Sequence, residues 1–233
     1  MFPVRDTLRP RSRPTVTWTL IALSVAAFVA MSSLQAGLFE RLTLTYGLVP
    51  ARLSFADPAG WLRLGTSIFL HGGWFHLISN MWTLFIFGDN VEDRIGHGRF
   101  LAFYLASGVV AGLAHVALTP GSTLPTIGAS GAIAGVLGAY FVLFPSARVL
   151  TVVPLIFLPW LIEIPAFIYL GVWILSQLSS GLLSLGAAGD FGGIAWWAHI
   201  GGFVFGALAV RLVAPRRRPA AARFDLDDML RYG

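Results

Sequence analysis

Four residues of this 233-residue chain have the types and neighbours needed for acyl transfer: Ser130, His199, His76 and Asn80. Ser130 sits in Thr126-Ile127-Gly128-Ala129-Ser130-Gly131-Ala132-Ile133-Ala134-Gly135, a lone hydroxyl among residues with almost no side chain. A serine hydroxyl is a poor nucleophile until a base takes its proton, and neutral imidazole is the side chain suited to that task at about pH 7. A tetrahedral intermediate would also need donors for its oxyanion, and the Asn80 amide, the Ser130 backbone N–H and His76 are available. His76 and Asn80 lie one helical turn apart and share a face. No acidic third member is evident, because Asp190 falls in the loop before His199 and Glu163 falls at the opposite face of the membrane. The chemistry implied is that of a Ser/His dyad.

These residues must be positioned inside a bilayer. Hydrophobic residues make up 56% of the chain and charged residues 12%, with a mean hydropathy of +0.76. That is far from the roughly 25% charged residues of soluble domains. The chain has no cysteine, which excludes disulfides, thiolate metal sites and a cysteine nucleophile. It has no lysine either, and its sixteen arginines fall in blocks beside apolar runs, so the basic pI of 10.4 marks membrane topology and not nucleic-acid binding.

The apolar runs predict six membrane-spanning helices, at about 16–36, 66–88, 100–118, 127–144, 164–183 and 193–213. The first resembles a signal peptide with Ser24-Val25-Ala26 as a cleavage site, but it exceeds the usual ~7–15 apolar residues and reads as a retained helix. Residues 1–15 read as a basic, irregular cytoplasmic segment, and 214–233 as a polar cytoplasmic tail in which 224–230 alternate apolar and acidic residues. The connection 37–65 holds too many large apolar residues for a polar linker and is expected to dip into the interface. Pro154, Pro159 and Pro165 break the long run after Val149 into an interfacial segment and a helix starting near Ile164, with Glu163 capping it. Thirteen arginines then collect on one side and three (Arg41, Arg52, Arg63) on the other. The positive-inside rule places both termini in the cytoplasm of a cell whose inner membrane holds the protein.

Depth and closeness follow. His199 lies about six residues inside the outer start of the sixth span, roughly 9 Å at ~1.5 Å per residue. Ser130, His76 and Asn80 reach the same leaflet. Ser130, Ala134 and Gly138 line one helix face, and His199, Gly202 and Gly206 line another, so that two backbones can approach until Ser130 meets His199. A serine among glycines ordinarily serves packing, and a histidine beside a small-residue track ordinarily serves an interhelical bond. Their convergence in one leaflet with His76 and Asn80 favours chemistry.

At this point the residues match a known family. Gly128-Ala129-Ser130-Gly131, Ala198-His199-Ile200-Gly201-Gly202 and His71-Gly72-Gly73-Trp74-Phe75-His76-Leu77-Ile78-Ser79-Asn80 resemble the three motifs of the rhomboid intramembrane serine proteases of bacterial type. Trp61-Leu62-Arg63 is similar to the Trp-Arg motif of their first loop, with leucine where many members have tryptophan. The likeness runs from about residue 16 to 213. It implies an all-α, polytopic, six-transmembrane-helix bundle in which Ser130 is the nucleophile, His199 the base, His76 and Asn80 the oxyanion side, and His71 structural. It also implies transmembrane protein substrates, cut near the outer leaflet after access past the fifth helix and the 184–192 loop, and no cofactor or metal. Where some members stack a tyrosine on the histidine, this chain has Ala134, leaving Trp196 or another aromatic to orient His199. A catalytically inactive rhomboid-like protein that binds membrane clients is the alternative.

The remaining polar residues read as structural. His115 lacks a partner motif, His97 is expected to be solvated, and the cluster from Asp89 to Arg94 is expected to anchor the cytoplasmic end of its helix. A zinc protease would need HExxH, and an aspartyl mechanism would need a mate for Asp190; the chain supplies neither.

Overall fold

A computed structural model describes residues 1–54, 56–155, 158–185 and 195–215. The order is β1 (Phe2–Asp6), α1 (Thr15–Ser32), α2 (Ala36–Tyr46), α3 (Pro58–Thr66), α4 (Trp74–Ile95), α5 (His97–Leu118), α6 (Ser130–Leu143), β2 (Arg148–Leu155), β3 (Leu158–Pro165), α7 (Ala166–Leu185) and α8 (Trp196–Val213), with short 3-10 turns at Pro50–Arg52 and Ser67–Phe69. The loop at 186–194, with Asp190, and the tail from 216 onward lie outside the described residues.

Among the described residues four helices, α1, α5, α7 and α8, are long and apolar enough to cross a membrane, so this is a multi-pass membrane protein. The expected second span is α4, which starts at Trp74 and carries Asp89, Glu92, Asp93 and Arg94 in its last turns. The expected fourth span is α6, an apolar helix of 14 residues, about 21 Å at ~1.5 Å per residue. Every residue of α6 from Gly131 to Tyr140 is buried, and this helix is the axis of the bundle.

Small residues decide how closely its neighbours pack. A Cβ added at Gly202 or Gly206 of α8 would collide with the carbonyl oxygens of Gly131 and Gly135, and one at Gly138 would collide with that of Phe203. On the α5 side, Gly131 faces Ala111 and Gly135 faces the Ser107 hydroxyl. The α6 and α8 backbones therefore run together with no side chain between them, and α5 fits the small side chains of Ala111 and Ser107 against the glycines of α6.

The chain is not purely helical, which corrects the all-α expectation and the reading of 1–15 as irregular. Three antiparallel strands form one sheet in the order β1-β2-β3, with Phe2 opposite Val152, Asp6 opposite Val149, and Val149 to Leu155 opposite Ile164 to Leu158. Val149, Thr151, Val152 and Val153 favour extended backbone, and the prolines that bar a helix are tolerated near a hairpin end. Glu163 accordingly lies exposed in β3, opposite Leu150, and caps no helix. β1 lies along α4: the Trp82 indole donates to the Pro3 carbonyl at 2.7 Å, and the Phe2 ring stacks on Trp82. The expected interfacial connection at 37–65 is also ordered, as α2 and α3, with Asp57 capping α3 through the Ala59 N–H and the Arg63 Nε donating to the Thr45 carbonyl.

The charge cluster from Asp89 to Arg94 does more than anchor. α1 starts after Pro14 with no capping side chain and no acidic residue in its first turn. Glu92, wholly buried on α4, supplies both: it accepts from the Val16 N–H at 2.9 Å, the Thr17 N–H at 2.7 Å and the Thr17 hydroxyl at 2.6 Å. His97, expected to be solvated, donates Nδ1 to the same carboxylate at 2.5 Å while half its side chain stays exposed. Asp93 accepts from Ser12, and Asp6 accepts from the Tyr140 hydroxyl at 2.5 Å and the Asn90 amide at 2.9 Å.

Two outcomes follow. Glu92→Ala strands the first-turn donors of α1 and should lower stability by about 3 kcal/mol or more, read as thermal unfolding in detergent, whereas His97→Ala should cost much less. Burial raises the Asp6 carboxyl above the usual carboxylate range, with the Tyr140 bond opposing it. The folded form thus holds the Asp6 proton to higher pH than the unfolded chain, and this contribution to stability, full below the ordinary carboxylate pKa, fades as pH rises through the raised value. Hydrogen exchange in β1, corrected for its intrinsic rate, should show docking weakening across that window, and Asp6→Asn, which can keep both incoming bonds, should abolish the dependence.

Candidate active site

The N-terminal ends of α4, α6 and α8 converge at the end of the bundle away from the sheet. Ser130 is the first residue of α6, preceded by Ala129 at the cap and by Gly128 at φ +123°, a conformation that favours glycine. The segment leading to it is held from both sides: the Gly128 N–H donates to the Ser67 carbonyl at 2.9 Å, and Thr126 and Leu48 exchange two backbone bonds. The hydroxyl therefore sits on a rigid turn at a helix N-terminus, where the first N–H groups have no partner within the helix.

The glycine contacts of α6 and α8 bring His199 to it. His199 Nε2 lies 2.8 Å from Ser130 Oγ, both side chains half-buried. The other ring nitrogen, Nδ1, lies 2.6 Å from the Oε1 of Gln177, a buried residue of α7. Trp173, one turn earlier on α7, has its ring 5.9 Å from the imidazole at a 35° tilt, and Trp196 meets it edge-on at 6.3 Å. The two rings flank the imidazole while Ala134 is fully buried within α6.

His76 and Asn80 point at the space over Gly128. A methyl group there would lie 2.6 Å from His76 Nε2 and 3.6 Å from Asn80 Nδ2. Asn80 is buried and its Nδ2 has no hydrogen-bond partner, which leaves a donor aimed into the site with nothing to receive it. His71 stands behind, fully buried, with Nδ1 on the Phe69 carbonyl at 3.3 Å and its ring edge-on to His76 at 5.1 Å. A cavity of about 30 Å³ opens beside the hydroxyl, lined by Ser67, Gly128, Ser130, Gly131, Ala195 and Ala198, and it has room for a water molecule. Among the described residues no group of three or more His, Asp or Glu could hold a metal ion.

All four residues expected from the sequence thus lie around one segment: a hydroxyl on a ring nitrogen, with His76 Nε2 and the Asn80 amide facing the place a methyl group on Gly128 would take. Such a set can deprotonate an alcohol and receive a developing oxyanion. His115, buried on α5 with its Nδ1 unpartnered, joins none of these bonds. Two residues of the site escaped the sequence reading, Trp173 and Gln177. The signal was present: Gln177 is the sole amide in the apolar α7 and stands four residues after Trp173. Gly128→Ala would force a strained φ and a clash with His76; the rate at which a serine-directed fluorophosphonate labels Ser130 should fall about 100-fold or more, with the fold retained.

A family model described as the rhomboid domain matches residues 58–216, which include Ser130, His199, His76, Asn80 and Gln177. The chain is 36% identical over 127 residues to rhomboid protease GluP of Bacillus subtilis (strain 168), covering 54% of this chain and 24% of that protein. It is 31% identical over 169 residues to the mitochondrial Rhomboid protein 1 of Saccharomyces cerevisiae, covering 68% and 45%. It is 30% identical over 131 residues to the chloroplastic Rhomboid-like protein 11 of Arabidopsis thaliana, covering 56% and 43%. The matches thus span less than half the length of each of these relatives. With the domain match extending over most of the chain, this protein belongs to the rhomboid family.

Proposed function

We propose that this protein is an intramembrane serine endopeptidase that cuts the transmembrane segments of other membrane proteins near the outer leaflet. The observation that carries this reading is the 2.8 Å approach of His199 Nε2 to Ser130 Oγ at a helix N-terminus. In this scheme His199 takes the Ser130 proton as Oγ attacks the scissile carbonyl carbon. The oxyanion is received by Asn80, His76 and the Ser130 N–H. His199 then gives the proton to the leaving amine, and an ester on Ser130 remains. A water in the cavity beside Ser130 loses a proton to His199 and attacks that ester; as the acyl–Oγ bond breaks His199 returns the proton to Ser130 Oγ, which releases the acid and restores both the hydroxyl and the neutral imidazole. Every proton moves between the chain, the substrate and water, so the scheme calls for no cofactor or metal.

The topology proposed with it has six crossings, α4 and α6 joining the four longer apolar helices, and a protease domain at 16–213. Both termini lie in the cytoplasm of a cell whose inner membrane holds the protein, on the strength of the arginine distribution. The site then opens outward, and a substrate helix reaches it sideways from the lipid.

Purified wild type, Ser130→Ala and His199→Ala, each with EDTA, are to be compared on a single-pass substrate in liposomes. Wild type should cut and each variant should lose about 10³-fold or more in kcat. Cleavage by Ser130→Ala at the wild-type rate would remove the serine mechanism. A folded wild type that binds a panel of such segments and cuts none would establish the non-cleaving, client-binding reading in its place.

A further inference from the structure

The bond between Gln177 and His199 has a direction, and it can be worked out from the chain. The Ser176 hydroxyl lies 2.6 Å from the Trp173 carbonyl, which only accepts, so the single hydroxyl proton of Ser176 is committed there. Ser176 Oγ can then only accept from its other neighbour, the Gln177 side-chain amide at 3.1 Å. This places the NH2 of Gln177 toward Ser176 and its carbonyl oxygen toward His199. An amide oxygen accepts and does not donate, so His199 Nδ1 carries the proton. A neutral imidazole protonated at Nδ1 has its lone pair on Nε2, the nitrogen that faces Ser130.

We propose that Gln177 is a positioning residue that holds His199 in the tautomer able to accept the Ser130 proton, through a hydrogen-bond chain of fixed polarity anchored on the α7 backbone. The chain runs from Ser130 O–H to His199 Nε2, from His199 Nδ1–H to Gln177 Oε1, and from the Gln177 amide through the Ser176 hydroxyl to the Trp173 carbonyl. The inference rests on the dyad reading above. Gln177 does there what an acidic third residue does in a triad, without a charge. Its amide oxygen accepts a hydrogen bond from Nδ1–H, fixes the ring plane together with Trp173 and Trp196, and places no carboxylate in a low-dielectric site. Trp173 contributes twice, by its carbonyl as the anchor and by its ring beside the imidazole.

The test has a kinetic and a spectroscopic arm. Steady-state cleavage in liposomes is measured for wild type, Gln177→Leu and Gln177→Glu, and ¹⁵N spectra are recorded on histidine-labelled protein at neutral pH, His199 being assigned by its loss in His199→Ala. Gln177→Leu keeps the volume and removes the acceptor; kcat should fall roughly 10–100-fold with KM within about twofold. Gln177→Glu keeps an acceptor toward Nδ1 and should retain kcat to within about fivefold. Wild-type His199 should give one tautomer, protonated at Nδ1, and Gln177→Leu a mixture. A wild-type His199 protonated at Nε2, or a Gln177→Leu enzyme with unchanged kcat, overturns the proposal. Should Gln177→Leu not fold, the wild-type spectrum and the Gln177→Glu rate decide. Should wild type cut no substrate at all, the protease reading falls, while the wild-type spectrum still tests the tautomer.

Discussion

The structure depends on one steric constraint, the absence of room for a methyl group between α6 and α8. Where Gly202 and Gly206 rest on the carbonyls of Gly131 and Gly135, the helices pack backbone to backbone, and the distance between Ser130 and His199 follows from that contact. In lipid no hydrophobic effect drives two apolar helices together, so dispersion between closely fitted surfaces must do so. Glycine is a poor helix former in water, and its use here trades intrinsic propensity for approach. The same contact fixes the depth of α6, whose residues from Gly131 to Tyr140 are buried against α4, α5 and α8.

What was legible in the sequence was local. The spacing of Ser130, Ala134 and Gly138, and of His199, Gly202 and Gly206, is written within single helices, as is the pairing of His76 with Asn80 at one turn. What was not legible depended on partners far along the chain. β1 pairs with a strand some 145 residues later, Phe2 opposite Val152, and nothing in Phe2 to Asp6 announces a strand until that partner is known. The apolar run from Val149 to Ile164 has the composition of an interfacial segment, and period-two alternation is absent because several of its residues are apolar on both faces. Glu92 read only as part of an anchoring charge cluster and His97 as solvated, because the helix end that buries Glu92 comes from α1. Gln177 was overlooked for a different reason: the Asn80 amide was found through His76 one turn away, and α7 carries no histidine or acid to draw attention to the neutral amide of Gln177.

That neutrality suits the site. A carboxylate inside a membrane protein needs several compensating donors, and the one fully buried carboxylate among the described residues, Glu92, has four, three from α1 and one from His97. Among the described residues no such set of donors is gathered beside His199. An amide there supplies an acceptor on one side and a donor on the other, and each end finds a single partner. The two ends of the bundle thus use opposite electrostatics: charge satisfied by a helix N-terminus where the arginines gather, and neutral polar groups of fixed orientation where the hydroxyl waits.

The burial of Glu92 also bears on how the protein is made. Its carboxylate completes the first turn of α1 from 75 residues further along the chain. At roughly 5–20 residues per second, α1 leaves the ribosome on the order of 4–15 s before its anion exists. Until then the free N–H groups at its start, with no capping side chain of their own, can be satisfied only by water or lipid headgroups, which holds that end at the membrane surface and keeps it from sinking. The docking of α4 on α1 therefore completes the first helix only after the chain has been made as far as Glu92, so the order of synthesis sets the order in which the two helices can be finished.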